Sequence, residues 1–535
     1  MLTNMGEIQA TAQGSARPGK LRANAGARSG LEVRRHHSSE EANEQRQGER
    51  SRECGTAGES AEFVERRVMP KRKLDRGTGA GTQGPESLDA GLIRLREAAI
   101  ANRDLRFDNL LHHVTVSRLK QAYEACKKDA ASGVDGIDWY AYGEDLEVRL
   151  ARLCDALHAG RYRAQPVRRQ WIPKTDGRLR PLGITCVEDK VVQHALVSVL
   201  QAIYEVDFLG FSYGFRPGRS QHDALDAVYM AITTRKVGWV LDADIEACLV
   251  CPSKQAFKLV DRIGHDKLLA VLKRRIADRR VLRLIEQTLK AGVMDGGKWQ
   301  ANTEGVPQGA VISPLLANIF LHDAIDRWVH PWRGRWARGL VSVVRYADDF
   351  VMGFQYRSDA NNLRANLAKR LAIYGLTLHP EKTRLLEFGR FAQANRQERG
   401  LGKVESFAFL GFTHRYSTRK RDGASELQRR TVTKRLRGFL QEVKMTLRER
   451  RHATPREQGV WLGQVVRGYF QYHAIPGNRA ALETVRTEVN KMWLKALRRR
   501  SQRHALPWSR FNRWVRRWIP STRTLHPHPD QRFAF

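Results

Sequence analysis

The chain has 535 residues, 93 Lys plus Arg against 57 Asp plus Glu, a formal net charge of +36 and 41% hydrophobic residues. That apolar share can fill real cores, which excludes a wholly disordered chain, and the length suggests about two to four domains. The charge is silent on fold but favours a polyanionic partner, of which nucleic acid is the commonest.

Residues 1–88 are rich in Gly, Ser, Ala, Arg, Glu and Gln and poor in aromatics, so disorder is expected there. Gly79, Gly81 and Gly84 match a GxGxxG pattern, but no strand precedes it and no apolar helix follows. It reads as a linker. Met69-Pro-Lys-Arg-Lys leaves a later translation start open. From Leu88 the texture changes. Ile93, Leu95 and Ile100 carry helical spacing, continued by Leu110-Leu-His-His-Val and Leu119 to Tyr123. Ala131-Ser-Gly-Val-Asp-Gly-Ile reads as a turn, and Leu146 to Leu157 as a helix. Residues 165–415 mix strand-like runs with amphipathic helices, which predicts an α+β fold. Past about residue 420 the chain reads as helical, basic and rich in Trp.

The cysteines, Cys54, Cys126, Cys154, Cys186, Cys248 and Cys251, are too scattered for a disulfide framework. Cys248-x-x-Cys251 lacks the second pair or His cluster of a zinc site. No run approaches the ~18 apolar residues of a membrane span. The N-terminal segment lacks the apolar core of a signal peptide, so a cytoplasmic protein without a membrane partner is expected.

Val341 to Phe354 places two apolar runs around a short polar centre, which predicts a β-hairpin with Asp348 and Asp349 at its tip. Adjacent carboxylates there either form an ordinary Asp-rich turn or relieve their repulsion on a divalent cation. A second run, Val240-Leu-Asp-Ala-Asp-Ile245, puts Asp242 and Asp244 on one strand face. A carboxylate from this strand beside the tip would complete an oxygen-rich cage for Mg2+, suited to nucleotidyl transfer. Lys174 and Arg180 flank a Gly-containing turn and could bind phosphate oxygens, or form a solvated basic turn. Gly292-x-x-x-x-Gly297-Lys298 resembles a Walker A loop, but Trp299 stands where Ser or Thr is required, so it is rejected.

In order, these residues resemble the reverse transcriptase/maturases encoded by bacterial group II introns, of the type without a nuclease. The motifs are Ala131-Ser-Gly-Val-Asp-Gly, Ile172-Pro-Lys with Arg180-Pro-Leu-Gly, Ser212-Tyr-Gly-Phe-Arg-Pro-Gly-Arg-Ser220, Val306-Pro-Gln-Gly-Ala-Val-Ile-Ser-Pro-Leu-Leu-Ala-Asn318, Tyr346-Ala-Asp-Asp349, Leu378-His-Pro-Glu-Lys-Thr383 and Phe409-Leu-Gly-Phe412. The resemblance implies a right-hand polymerase with fingers, a palm built on an antiparallel sheet, and a helical thumb. Residues 89–164 would be an N-terminal finger extension, 165–415 the fingers and palm, and 416–535 the thumb and maturase region. It implies catalysis by Asp244, Asp348 and Asp349, with Ile245 beside them among the metal-binding positions. It also implies substrate binding by Lys174, Arg180, Gln308 and Lys382. Mg2+ would be the cofactor; group II intron RNA, an RNA template with a DNA primer, dNTPs and a DNA target would be the partners. In the tail, Arg and Trp interleave from Arg467 to Trp518, a composition that suits phosphate pairing and stacking on RNA, although most of the Trp read as core.

Three departures stand out. The segment after Asp244 is longer than the family's, with an insert at 249–262, and Leu249 replaces the usual aromatic. Ala310 stands where a second Gly is common, tolerable if its φ is negative. No Cys follows Cys251, so a DNA-cutting domain is not expected. The insert leaves open a catalytically weak protein that only binds RNA and aids splicing. Recruitment of a reverse transcriptase to another role, such as phage defence, also stays open.

Overall fold

The computed structural model describes residues 89–173, 179–247, 263–302, 305, 309–418, 425–500 and 506–532. Residues 1–88, Lys174, the Cys248/Cys251 pair, the 249–262 insert and Gln308 lie outside the described residues, as does the side chain of Arg180.

The centre is an antiparallel sheet. Strands β3 (Trp239–Ala247), β6 (Val341–Tyr346), β7 (Asp349–Phe354) and β8 (Leu376–Leu378) run in the order β6-β7-β3-β8, and β9 (Arg384–Glu387) also pairs with β3. Both faces are covered, so β6 and β7 are largely apolar, while β3 carries acids from Asp242 onward. On one face Leu241, Ala243, Ile245, Val341, Val343, Phe350 and Met352 join the largest core. Helices Val187–Asp207, His265–Leu272, Ser313–Leu321 and Arg357–Ile373 supply its other side. On the opposite face Val240, Val344, Val351 and Leu386 pack with Leu225 and Val228 of helix Gln221–Thr234. Phe407, Phe412 and Leu427 of a second sheet, β10 (Phe407–Phe409), β11 (Phe412–Thr418) and β12 (Ser425–Thr431), close that core.

A separate four-stranded sheet draws on two parts of the chain. Strands β1 (Val167–Pro173) and β2 (Leu179–Ile184) pair antiparallel, and β1 runs parallel to β4 (Val293–Asp295), which turns into β5 (Lys298–Gln300). The Walker-like run is therefore a β-hairpin. Gly296 and Gly297 have φ of 56° and 84°, the two positive values a type I′ turn needs. A third core, from Val443 and Leu447 through Leu462, Val466, Val489 and Trp493 to Phe511, holds the helices Thr433–Glu449, Pro455–His473, Arg479–Arg498 and Trp508–Trp518 together.

Two expectations are corrected. Helix Ala90–Ala101 forms, but Ile93 and Ile100 are exposed, and Leu92, Leu95 and Ala99 face the core. The tail is not helical from residue 420. β12 runs to Thr431 because Leu427 completes the core under the central sheet. Ala310 is buried and is not among the residues with positive φ, so its methyl group is accommodated. No described helix is long and apolar enough to cross a membrane.

Candidate active site: the carboxylate hairpin of the central sheet

The register of β3 against β7 puts Asp244 directly opposite Asp349, and β6 puts Tyr346 opposite Asp349. Directly opposed residues share a face, with Cβ atoms about 4.5–5.5 Å apart. Because Leu241, Ala243 and Ile245 enter the helix-covered core, alternation sends Asp242 and Asp244 to the opposite face, with Asp349. Two carboxylates far apart in the chain thus become neighbours. Asp348 sits in the two-residue turn between β6 and β7, beside Ala347, whose φ is 55°. A left-handed first turn residue suits the twist of a tight hairpin, at a steric cost that glycine would avoid.

Lys382 also arrives here. The loop from His379 to Thr383 leaves the edge of β3 between β8 and β9. It is tied down where the His379 N–H donates to the Asp244 carbonyl at 2.9 Å and the Thr383 hydroxyl to the same oxygen at 3.4 Å. Lys382 Nζ then donates to Asp244 Oδ2 at 2.6 Å. Alongside, Arg384 pairs with Asp242 at 3.3 Å. Burial pushes the Asp242 carboxyl up; the Arg384 hydrogen bond and charge pull it back, and Asp244 adds to the rise.

Behind the hairpin lies a network that sequence reasoning did not single out. Arg345 is fully buried, and all five of its N–H donors are spent. Nε and Nη2 bind the two oxygens of Asp326 at 2.8 and 2.5 Å. Nη2 also donates to Ser212 Oγ at 2.7 Å, and Nη1 to Asn318 Oδ1 and the Ala347 carbonyl, both at 3.1 Å. Asp326 ends a single π-helical turn, His322–Asp326. Burial works to raise its carboxyl, but the Arg345 guanidinium and the His322 ring outweigh it and hold it below the usual range. The signal was present: an arginine inside an otherwise apolar strand implies a buried anion.

The Ser212-Tyr-Gly-Phe segment lies on this network. The Tyr213 N–H donates to the Arg345 carbonyl at 2.8 Å, the Arg345 N–H donates to the Phe211 carbonyl at 2.9 Å, and Asn318 Nδ2 donates to the Gly214 carbonyl at 2.5 Å. A Cβ on Gly214 would lie 2.4 Å from the Ala347 nitrogen. Likewise a Cβ on Gly309 would lie 2.4 Å from the Gly183 carbonyl, so the Arg180-Pro-Leu-Gly183 strand reaches the Gly309-Ala310 turn. Arg180 itself is on β2, opposite Ile172.

As the side chains stand, no three His, Cys, Asp or Glu among the described residues converge around a point where a metal ion could sit, and Asp244 is turned onto Lys382. The donor set nevertheless suits a hard divalent cation: it is all oxygen, and two carboxylates are cross-strand neighbours. The Ile245 side chain is a hydrocarbon buried in the helix-covered core, so only its main-chain carbonyl could serve as a ligand.

The sequence matches the family described as reverse transcriptase (RNA-dependent DNA polymerase) over residues 172–414. It is 34% identical over 292 residues to Protein YkfC of Escherichia coli, covering 48% of this chain and 74% of that one. It is 36% identical over 184 residues to the group II intron-encoded protein LtrA of Lactococcus lactis, covering 34% of this chain but 28% of that one. A shorter stretch of 105 residues is 30% identical to nuclear intron maturase 1, mitochondrial, of Arabidopsis thaliana, covering 19% of this chain and 13% of that one.

Proposed function

The chain belongs to the family of group II intron-encoded reverse transcriptase/maturases, and from that membership we propose that it copies RNA into DNA and acts as a maturase on its own intron RNA. Its substrates are an RNA template with a DNA primer and dNTPs, its target is DNA, and it works in the cytoplasm. Family membership favours this reading over a splicing-only protein or a reverse transcriptase recruited elsewhere.

The observation that carries the reading is the cross-strand pairing of Asp244 with Asp349 beside the Asp348 turn. Asp244, Asp348, Asp349 and the Ile245 carbonyl are the groups that would hold Mg2+. When bound, the metal supplies Lewis-acid polarisation of a primer 3′-hydroxyl and of the attacked phosphate. Lys382 holds a positive charge against Asp244, where the anionic triphosphate must approach. Arg180, Lys174 and Gln308 are assigned to the incoming nucleotide by their motif positions.

Residues 89–164 act as the finger extension, 165–415 as fingers and palm, and 416–535 as the thumb. Within the thumb, an open cavity of about 850 Å3 is lined by Lys444, Arg448, Arg451, Lys495, Arg499 and Arg500. Six cations without a carboxylate among the lining residues suit RNA phosphates.

Primer extension on an RNA template tests the reading. The intact protein should extend, and Asp348→Ala with Asp349→Ala should abolish product while leaving RNA binding in place. Full-length product from the double variant would sink it.

A further inference from the structure

The geometry points to Arg345 as a positioning residue that aims Asp348. It rests on the metal site of the proposed function, not on the polymerase step itself, and concerns a fully buried side chain.

The argument is one of donors and directions. A guanidinium has five N–H groups in a rigid plane, and here each has a partner. Four of the five are held by the side chains of Asp326, Asn318 and Ser212, and the two-point grip of Asp326 on Nε and Nη2 fixes the plane. The fifth is aimed at the Ala347 carbonyl, the peptide oxygen immediately before Asp348. A non-glycine residue at φ 55° persists only where its surroundings over-determine it. Arg345 supplies that constraint from within, and Gly214 supplies it from outside by lying against the Ala347 nitrogen. Asn318 couples the two, accepting from Arg345 and donating to the Gly214 carbonyl.

Fixing the Ala347 carbonyl fixes the plane of the 347–348 peptide, and therefore the direction in which the Asp348 side chain leaves the turn. Asp244 and Asp349 need no such device, because strand pairing sets their positions. Asp348 has no cross-strand partner of its own, being in the turn.

The test uses the full chain and Mn2+, whose free concentration is read by electron paramagnetic resonance. Thermal unfolding and RNA affinity are measured in parallel. Arg345→Lys keeps the charge beside Asp326 but loses the planar fork. Asn318→Ala leaves the Arg345–Asp326 ion pair whole. Ser212→Ala deletes a bond that does not reach the turn. Arg345→Lys and Asn318→Ala should each weaken Mn2+ binding about tenfold with RNA affinity unchanged, while Ser212→Ala binds Mn2+ like the intact chain. Wild-type Mn2+ affinity in both Arg345→Lys and Asn318→Ala would overturn the proposal. So would equal weakening in Ser212→Ala, because the effect would then follow general destabilisation. If Arg345→Lys does not fold, Asn318→Ala decides. Should the intact chain bind Mn2+ through Asp348 yet never extend a primer, the polymerase reading fails and this one stands.

Discussion

Replacing Gly214 by Ala adds one methyl group where the Ser212-Tyr-Gly-Phe segment lies against the carboxylate turn. Gly214 has no positive φ, so its own backbone accepts alanine. The obstacle is what the Cβ would meet: the Ala347 nitrogen at 2.4 Å, the Tyr346 carbonyl carbon at 3.0 Å and the Ala347 Cα at 3.2 Å. All three atoms are main chain, so no rotamer change relieves them. Reaching an ordinary contact of 3.4 Å requires a shift of about 1 Å at the turn. Overpacking of this kind costs about 1–3 kcal/mol. Misplacing a reacting constellation by about 1 Å costs roughly 100-fold in rate. Gly214→Ala should therefore lower the unfolding temperature by about 1–3 °C and primer extension by roughly two orders of magnitude. Gly468 is the control. It lies in helix Pro455–His473 with open space around its missing Cβ, so Gly468→Ala should stabilise by about 0.5–1 kcal/mol and leave extension unchanged. Stability and primer extension both near wild type in Gly214→Ala would refute the packing of Ser212-Tyr-Gly-Phe against the carboxylate turn.

Three further outcomes are expected. Lys382→Met removes the ammonium on Asp244, so Mn2+ should bind a few-fold tighter while extension slows; weaker Mn2+ binding would contradict the ion pair's competing role. His414 is fully buried, stacked on Phe407, and pushed down to about 3 by burial and by the Arg429 charge. Its unfolded form takes up a proton near pH 6.5 and its folded form does not, so stability is lost as the pH falls from 6.5 towards 3, at about 1.4 kcal/mol per unit. His414→Phe should lack this component, so its stability relative to the wild type rises as the pH falls from 7 to 5 in thermal melts; a constant difference would count against it. In the thumb cavity, Arg448→Gln with Arg499→Gln should flatten the dependence of log RNA affinity on log salt by about 1–2 units; an unchanged slope would remove the cavity from the RNA interface.

Local pattern was enough to specify the elements around the site. The alternation in Val240-Leu-Asp-Ala-Asp-Ile245 made a strand with its acids on one face, and Val341 to Phe354 made a hairpin, because side-chain period and turn chemistry are properties of short segments. The family resemblance added the expectation of which acids would hold a metal. Helix Ala90–Ala101 was legible too, but not its buried face, since Leu92 and Leu95 enter a core whose other half comes from helix Val187–Asp207. Tertiary structure alone decided that Asp244 stands opposite Asp349, because register between strands more than a hundred residues apart is set by the cores on both faces. It alone revealed what lies beneath. Arg345, Asp326, Asn318 and Ser212 have no common spacing in the chain; burial forces their polar groups to find one another, and only the packed interior specifies which ones meet.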